Sequence, residues 1–306
     1  MFALALLGVA GGVVAVWRPA PEGPEPVAVK GIPDEWMSPP PGAEAMAPER
    51  EGREDLRIPS SPVPEMGGEA PTDHARPAPV PLAPYSSRGQ LAYSVRGGIL
   101  GHESYTLTVG SEGIRLTSAG QFTVRLLLVP MRATFTQEAV LDAQGRPVSY
   151  ALEVHAPLGM SRTIVTEVEG ERVTVISGGE RGEASLAPGP AVILGMPSSL
   201  AILPALVVGS PPAASECQVL VVGTTSTSRT EEGAVPTMIR AEPGGERIIL
   251  AGGSRIAVDT YRLPSAGDAV LLARGREFLG MQVGEGTDSL FVYRSDYFPD
   301  GFELVP

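Results

Sequence analysis

The chain of 306 residues contains one cysteine, three histidines, two tryptophans and a single lysine, Lys30. With Cys217 alone, no intramolecular disulfide can form, so any folded part must be held by its apolar core. Basic residues are also few: 23 lysines and arginines face 35 aspartates and glutamates, for a net charge of −12. That balance excludes the basic patch that phosphate backbones require, so no nucleic-acid partner is expected. It equally disfavours strong adhesion to anionic lipid heads.

The signatures of common enzyme chemistries are missing too. His102-Glu103-Ser104-Tyr105-Thr106 starts like a zinc-protease motif but has Thr106 where the second histidine belongs. His74 falls in a proline-rich stretch, and His155 has the parity opposite to Val154, which points it to solvent. No Gly-x-Ser-x-Gly elbow is present. Cys217 opens a run apolar on both strand faces and reads as a small buried hydrophobe. Gly178-Gly179 and Gly252-Gly253 precede no helix that could cradle a phosphate. A calcium loop at Asp296 fails because Phe298 occupies a ligand position; Tyr297, Phe298 and Phe302 instead read as a terminal turn covering the core. A protein without enzymatic activity, metal or cofactor is the expectation. A hydrolase with an unrecognised site ranks third among the functional readings.

What is present begins with an uncharged apolar run, Phe2 to Trp17. Its length lies between a signal-peptide core of roughly 7–15 residues and a spanning helix of about 20. Residues 1–17 therefore read as a signal peptide or, by a small margin, a signal anchor contacting the membrane. Residues 18–88 hold more than half of the 31 prolines, with interspersed acids such as Glu22, Glu44 and Asp55. That composition favours an extended polyproline-type spacer over a packed unit.

From residue 89 to 306 the pattern changes to period two. Leu91, Tyr93 and Val95 alternate with polar or small residues, as do Tyr105, Leu107 and Val109. The runs Phe122–Leu128 and Met131–Phe135 differ in parity across Pro130, which reads as a bulge or edge kink. Val148, Tyr150, Leu152 and Val154 follow, then pairs such as Ile256 and Val258. Glycine-bearing turns separate these runs, among them Gly110–Gly113, Asp142–Gly145 and Pro243-Gly244-Gly245. Hairpin after hairpin without amphipathic helices predicts an all-β domain of antiparallel up-and-down connectivity. On the order of a dozen strands is too many for a flat sheet, so a half-barrel or open barrel is expected.

One segment departs from this rule. Ala191 to Gly209 is apolar almost throughout. A short helix capped by Ser198 or Ser199 is favoured there over two buried strands split at Pro197 and Pro204. It would present Leu200, Ile202, Leu203, Leu206 and Val207 to the hollow of the curled sheet, as the candidate ligand-binding residues.

Gly97, Gly101, Glu103 and Tyr105, as Gly-x-x-x-Gly-x-Glu-x-Tyr, with the later Asp142, Gly145, Arg146, Pro147 and Tyr150, resemble a group of uncharacterised secreted bacterial β-domains. The order of elements from Leu91 to Tyr297 also resembles the LolA/LolB superfamily of periplasmic lipoprotein carriers. The resemblance implies an apolar groove for an acyl chain or another greasy segment. The leading expectation is an extracytoplasmic, membrane-targeted protein, in the periplasm or at the cell surface, binding a lipid or an envelope protein partner. A scaffold module of an envelope complex is the alternative.

Overall fold

The computed structural model describes residues 84–126, 129–157, 159, 161–208, 216–222, 236–266, 269–284 and 289–305. The apolar run 1–17 and nearly all of the spacer lie outside the described residues. Among the described residues no helix is long and apolar enough to cross a membrane.

The first half of the domain is a continuous antiparallel meander. Its strands are β1 (Tyr85–Val95), β2 (Gly98–Gly110), β3 (Gly113–Leu126), β4 (Val129–Leu141), β5 (Pro147–His155), β6 (Arg162–Glu169), β7 (Arg172–Ser177) and β8 (Glu180–Ser185). Then β9 (Ala191–Leu194), β10 (Glu216–Val221) and β11 (Thr237–Arg240) form a separate small sheet. The chain returns through β12 (Glu242–Ala251), β13 (Ser254–Leu263), β14 (Ala269–Arg274), β15 (Glu277–Val283), β16 (Leu290–Arg294) and β17 (Glu303–Leu304). β16 pairs with β1, so both halves join into one sheet of 14 strands, with β8 at one edge and β17 beside β12 at the other.

Alternation fixes which side is inner. Along β2 every second residue from Gly101 to Val109 is buried, and the residues between are exposed. On the inner side a large core unites residues of β1–β7 with β14, β15 and the whole small sheet. A short turn at Pro197–Ile202 packs against the neighbours β2 and β3 and also against β15, from which β16 and β1 separate them in the sheet order. The sheet therefore curls around that turn and stays open between its edges, as a β-barrel-like half-barrel. A second, smaller core lies on the outer side of the C-terminal strands. Tyr297 and Phe298 pack there with Tyr293, and Phe302 stacks edge-on against Phe298 at 5.4 Å. This is the aromatic cover expected of the terminal turn.

Four local expectations change. The parity switch at Pro130 is not a bulge in one strand but the change of arms of a hairpin, with Leu126 opposite Val129 and Arg125 opposite Pro130. The apolar residues at the hairpin tip hid the turn. Pro243-Gly244-Gly245 is a bulge within β12 rather than a turn. β1 starts at Tyr85, a few residues ahead of the boundary at 89. Last, β9 and β10 are parallel, the exception in the pairing. Parallel neighbours need a long crossover, and the apolar segment after β9 supplies it.

That crossover is helical but irregular. A 3-10 turn spans Pro197–Ile202 and a π turn spans Pro204–Val208. Ser198 and Ser199 do not cap it; Met196 precedes the first turn without a side-chain cap, and Pro197 takes the first helical position. Pro204 lacks an N–H and breaks the two turns apart.

The small sheet is tied to the half-barrel by Gln218. Its amide accepts from the Ala187 N–H at 2.7 Å and donates to the Ala187 carbonyl at 2.6 Å, in the manner of a strand residue just beyond β8. The exposed edge, β8, carries Glu180, Arg181 and Glu183, charges that discourage edge-to-edge pairing.

Candidate functional site

Cross-strand register places a diagonal row of polar residues on the otherwise apolar inner face. Leu91 lies opposite both Arg294 and Glu103; Tyr105 opposite Ser118; Ser118 opposite Gln137; Tyr150 opposite Thr166. Paired residues point to the same face, so this row is a polar belt across β16, β2, β3, β4, β5 and β6. All of these side chains are buried. Burying polar groups costs free energy unless each is hydrogen-bonded, and most of the belt is.

Gln137 is the hub. Its Nε2 donates to Glu103 Oε1 at 3.2 Å and to Ser198 Oγ. Its Oε1 accepts from Tyr150 Oη at 2.9 Å and from Ser199 Oγ at 3.1 Å. Ser118 and Ser198 share a hydrogen bond of 3.3 Å. The crossover is thus seated on the belt by two hydroxyls, and the backbone of Gly195 and Met196 also hydrogen-bonds to Tyr150. Gly195 is required for this approach, since a Cβ there would collide with the Tyr150 hydroxyl. The Asp142–Gly145 turn helps hold the entrance of β9. Asp142 Oδ1 accepts the Gln144 and Arg146 N–H groups at 2.8 and 2.9 Å, and the Gly145 carbonyl accepts the Ala191 N–H at 2.9 Å.

Among the described residues, the buried atoms without a hydrogen-bond partner include Glu103 Oε2 and Tyr93 Oη on the inner face. Glu103 is only 2% exposed. Burial pushes its carboxyl up to about 7, with Ser118, Ser198 and Gln137 offsetting part of the rise. Burial likewise raises Tyr150.

The other end of the belt is an ionic knot at the β1–β16 seam. Arg294, 0% exposed, donates to Asp296 through Nε and Nη2, both at 2.7 Å. Its Nη1 donates to Glu277 Oε1 at 2.9 Å and to Tyr105 Oη at 3.0 Å, and Nη2 reaches the Arg88 carbonyl at 3.2 Å. The guanidinium lies 4.2 Å from the Tyr297 ring centre. Burial alone would lower its pKa, but the Asp296 carboxylate and its neighbours outweigh that and raise it. Gly89 makes room, because a Cβ there would overlap the guanidinium. Burial pushes Tyr105 up to about 12.

Of the residues read from the sequence as groove-lining, the four described ones are inward. Leu200, Ile202, Leu203 and Leu206 are buried in the main core, none more than 5% exposed; the Val207 side chain lies outside the described residues. They fill the hollow rather than line an empty one. Cys217 is buried in β10, where desolvation pushes its thiol up to about 12. His155 is exposed and pairs with Glu153 at 3.2 Å. Among the described residues no three of His, Cys, Asp or Glu come together as a metal-binding set.

The fold defines a β-barrel-like domain. No family model matches the chain, and no curated protein matches it. Among solved structures it is similar to a β-barrel-like protein of the domain of unknown function DUF1849 from Brucella abortus. That likeness has a TM-score of 0.42 and 11% identity, over 74% of this chain and 100% of that one. The architecture given above rests on the strand pairing itself.

Proposed function

We propose that the domain is a non-enzymatic binding module that takes a single apolar chain, of the kind found in lipids, into the hollow of its half-barrel. The supporting observation is the crossover at Pro197–Val208: an apolar segment with irregular hydrogen bonding, seated in a curled sheet by a few side-chain contacts. Short 3-10 and π turns are poorer in hydrogen-bond geometry than an α-helix, so this segment is the inner element with the least backbone order to lose. Its four buried aliphatic side chains hold about sixteen carbons, the content of one long acyl chain, and each buried CH₂ contributes ~0.8 kcal/mol. Exchange of the crossover for a ligand chain is therefore close to balanced in apolar burial.

The resemblance to the LolA/LolB carriers is not borne out by the solved structure that the chain is similar to, so the reading stands on the crossover. The apolar run 1–17 also fits this reading: it would direct the chain out of the cytoplasm and bring the domain near a membrane, with the residues between it and β1 as the spacer. Native mass spectrometry of the full chain, released from detergent micelles, tests the proposal. One adduct of single-chain lipid mass per protein is expected. A bare protein, before and after incubation with excess dodecanol, would remove the lipid-binding reading.

A further inference from the structure

The seated crossover has the chemistry of an amphiphile: an aliphatic body of Leu200, Ile202, Leu203 and Leu206, and two uncharged hydroxyls, Ser198 and Ser199, bonded to the belt. It acts as an internal stand-in. From this geometry we infer that the ligand is a single-chain amphiphile with an uncharged hydroxyl or amide head, held by Gln137, Glu103 and Tyr93 where Ser198 and Ser199 now sit. This inference rests on the binding function proposed above.

Three observations define the head. Gln137 offers both a donor and an acceptor, each already engaged by a serine hydroxyl of the crossover. Glu103 Oε2 and Tyr93 Oη are buried on the same face and unpartnered. Tyr93 lies opposite Gly101, and Leu91 opposite Glu103, so the two are diagonal neighbours within reach of one small polar group. A site built to hydrogen-bond a hydroxyl discriminates strongly against an analogue lacking it, because its own polar groups are then left unpaired.

Charge excludes the other head groups. Among the described residues the one fully buried cation, Arg294, is already bound by Asp296 and Glu277 and offers nothing to a phosphate. A carboxyl at Glu103 repels a phosphate when ionised. A quaternary ammonium, which can neither donate nor accept a hydrogen bond, leaves Gln137 unpaired.

Displacement of Nile red from the full chain by dodecyl compounds delivered from cyclodextrin provides the test. Dodecanol and dodecanamide should bind about tenfold or more tightly than dodecane, dodecyl phosphate and dodecyltrimethylammonium, a ratio of the size one good hydrogen bond supplies. The double variant Glu103→Leu, Tyr93→Phe should reduce that preference severalfold, with Gln137 supplying what remains. Glu103→Gln, which still donates and accepts, should retain it. Equal binding of dodecane and dodecanol by the wild-type chain would overturn the head-group assignment while leaving the apolar site intact. Failure of every compound to displace the dye would overturn both.

Discussion

Replacing Arg294 with methionine should lower the unfolding free energy by about 3–5 kcal/mol, measured by urea denaturation, because it strands the buried Asp296 carboxylate and the half-buried Glu277 without their cation. Asp296 and Glu277 both depend on this guanidinium, and Tyr105 loses the donor to its hydroxyl. The position also matters topologically. Arg294 sits where the last long strand meets the first, and its contact with the Arg88 carbonyl crosses nearly the whole described chain. Adding Asp296→Asn and Glu277→Gln to the methionine variant should recover part of the loss, since neutral partners no longer need compensation. If the single variant unfolds at the wild-type midpoint, the knot at this seam contributes no net stability.

Glu103→Gln should have the opposite sign and a pH signature. In the unfolded chain the Glu103 carboxyl titrates near 4.5, and in the fold it is pushed up to about 7. Below pH 4.5 both states hold the proton, and the fold suffers no penalty. As pH rises from 4.5 through 7 the unfolded chain ionises first, so stability falls; above 7 the loss levels off at roughly 3 kcal/mol. The groups facing this carboxyl are Gln137, Ser118 and Ser198, with Tyr150 nearby, and Arg294 lies across Leu91 on the other side. None of the near groups is a cation that would hold the carboxylate charged. Glutamine keeps the shape and the hydrogen bond without the charge. The variant should therefore match the wild type near pH 4 and exceed it by roughly 3 kcal/mol near pH 8. Parallel stability curves for the two proteins between pH 4 and 8 would show that Glu103 is solvated or paired in the fold.

Much of this fold was legible because strand parity is a two-residue signal that survives without knowledge of partners. Tyr105, Leu107 and Val109 on β2, and Tyr150, Leu152 and Val154 on β5, face inward as their alternation predicts, whereas Val148 at the start of β5, opposite a register shift, is exposed. Where the sequence reading failed, the local pattern was ambiguous for a physical reason. The β3–β4 turn carries apolar residues, so two arms read as one strand. The Pro243–Gly245 bulge uses the same residues as a turn. The parallel β9–β10 pair depends on where a crossover lands, which no local period encodes. The apolar crossover itself was legible, but its cap was not: Ser198 and Ser199 look like helix-capping residues and instead bond across to Gln137.

The polar belt is the larger omission, and a signal for it existed. Glu103 continues the inward series of Tyr105, Leu107 and Val109, so parity alone placed a carboxyl on the core side. Arg294 likewise follows Val292 at an inward position of β16. A charged residue in register with a buried series marks a position where function or a specific partner holds it. What parity could not supply is the identity of the partners. Gln137, Tyr150 and Glu277 come from other strands and Asp296 from the turn just after β16, whereas Ser198 arrives from a segment remote in sequence.

On the binding function proposed above, the hollow filled by Pro197–Val208 exchanges that segment for a ligand chain. A photoactivatable diazirine analogue of hexadecanol, cross-linked to the full chain and mapped by peptide mass spectrometry, tests it most directly. Labelling should be confined to inward residues of β2–β5 and to the 197–208 segment, and be suppressed by excess unlabelled hexadecanol. Labelling spread over the exposed outer face, or unaffected by the competitor, would contradict it.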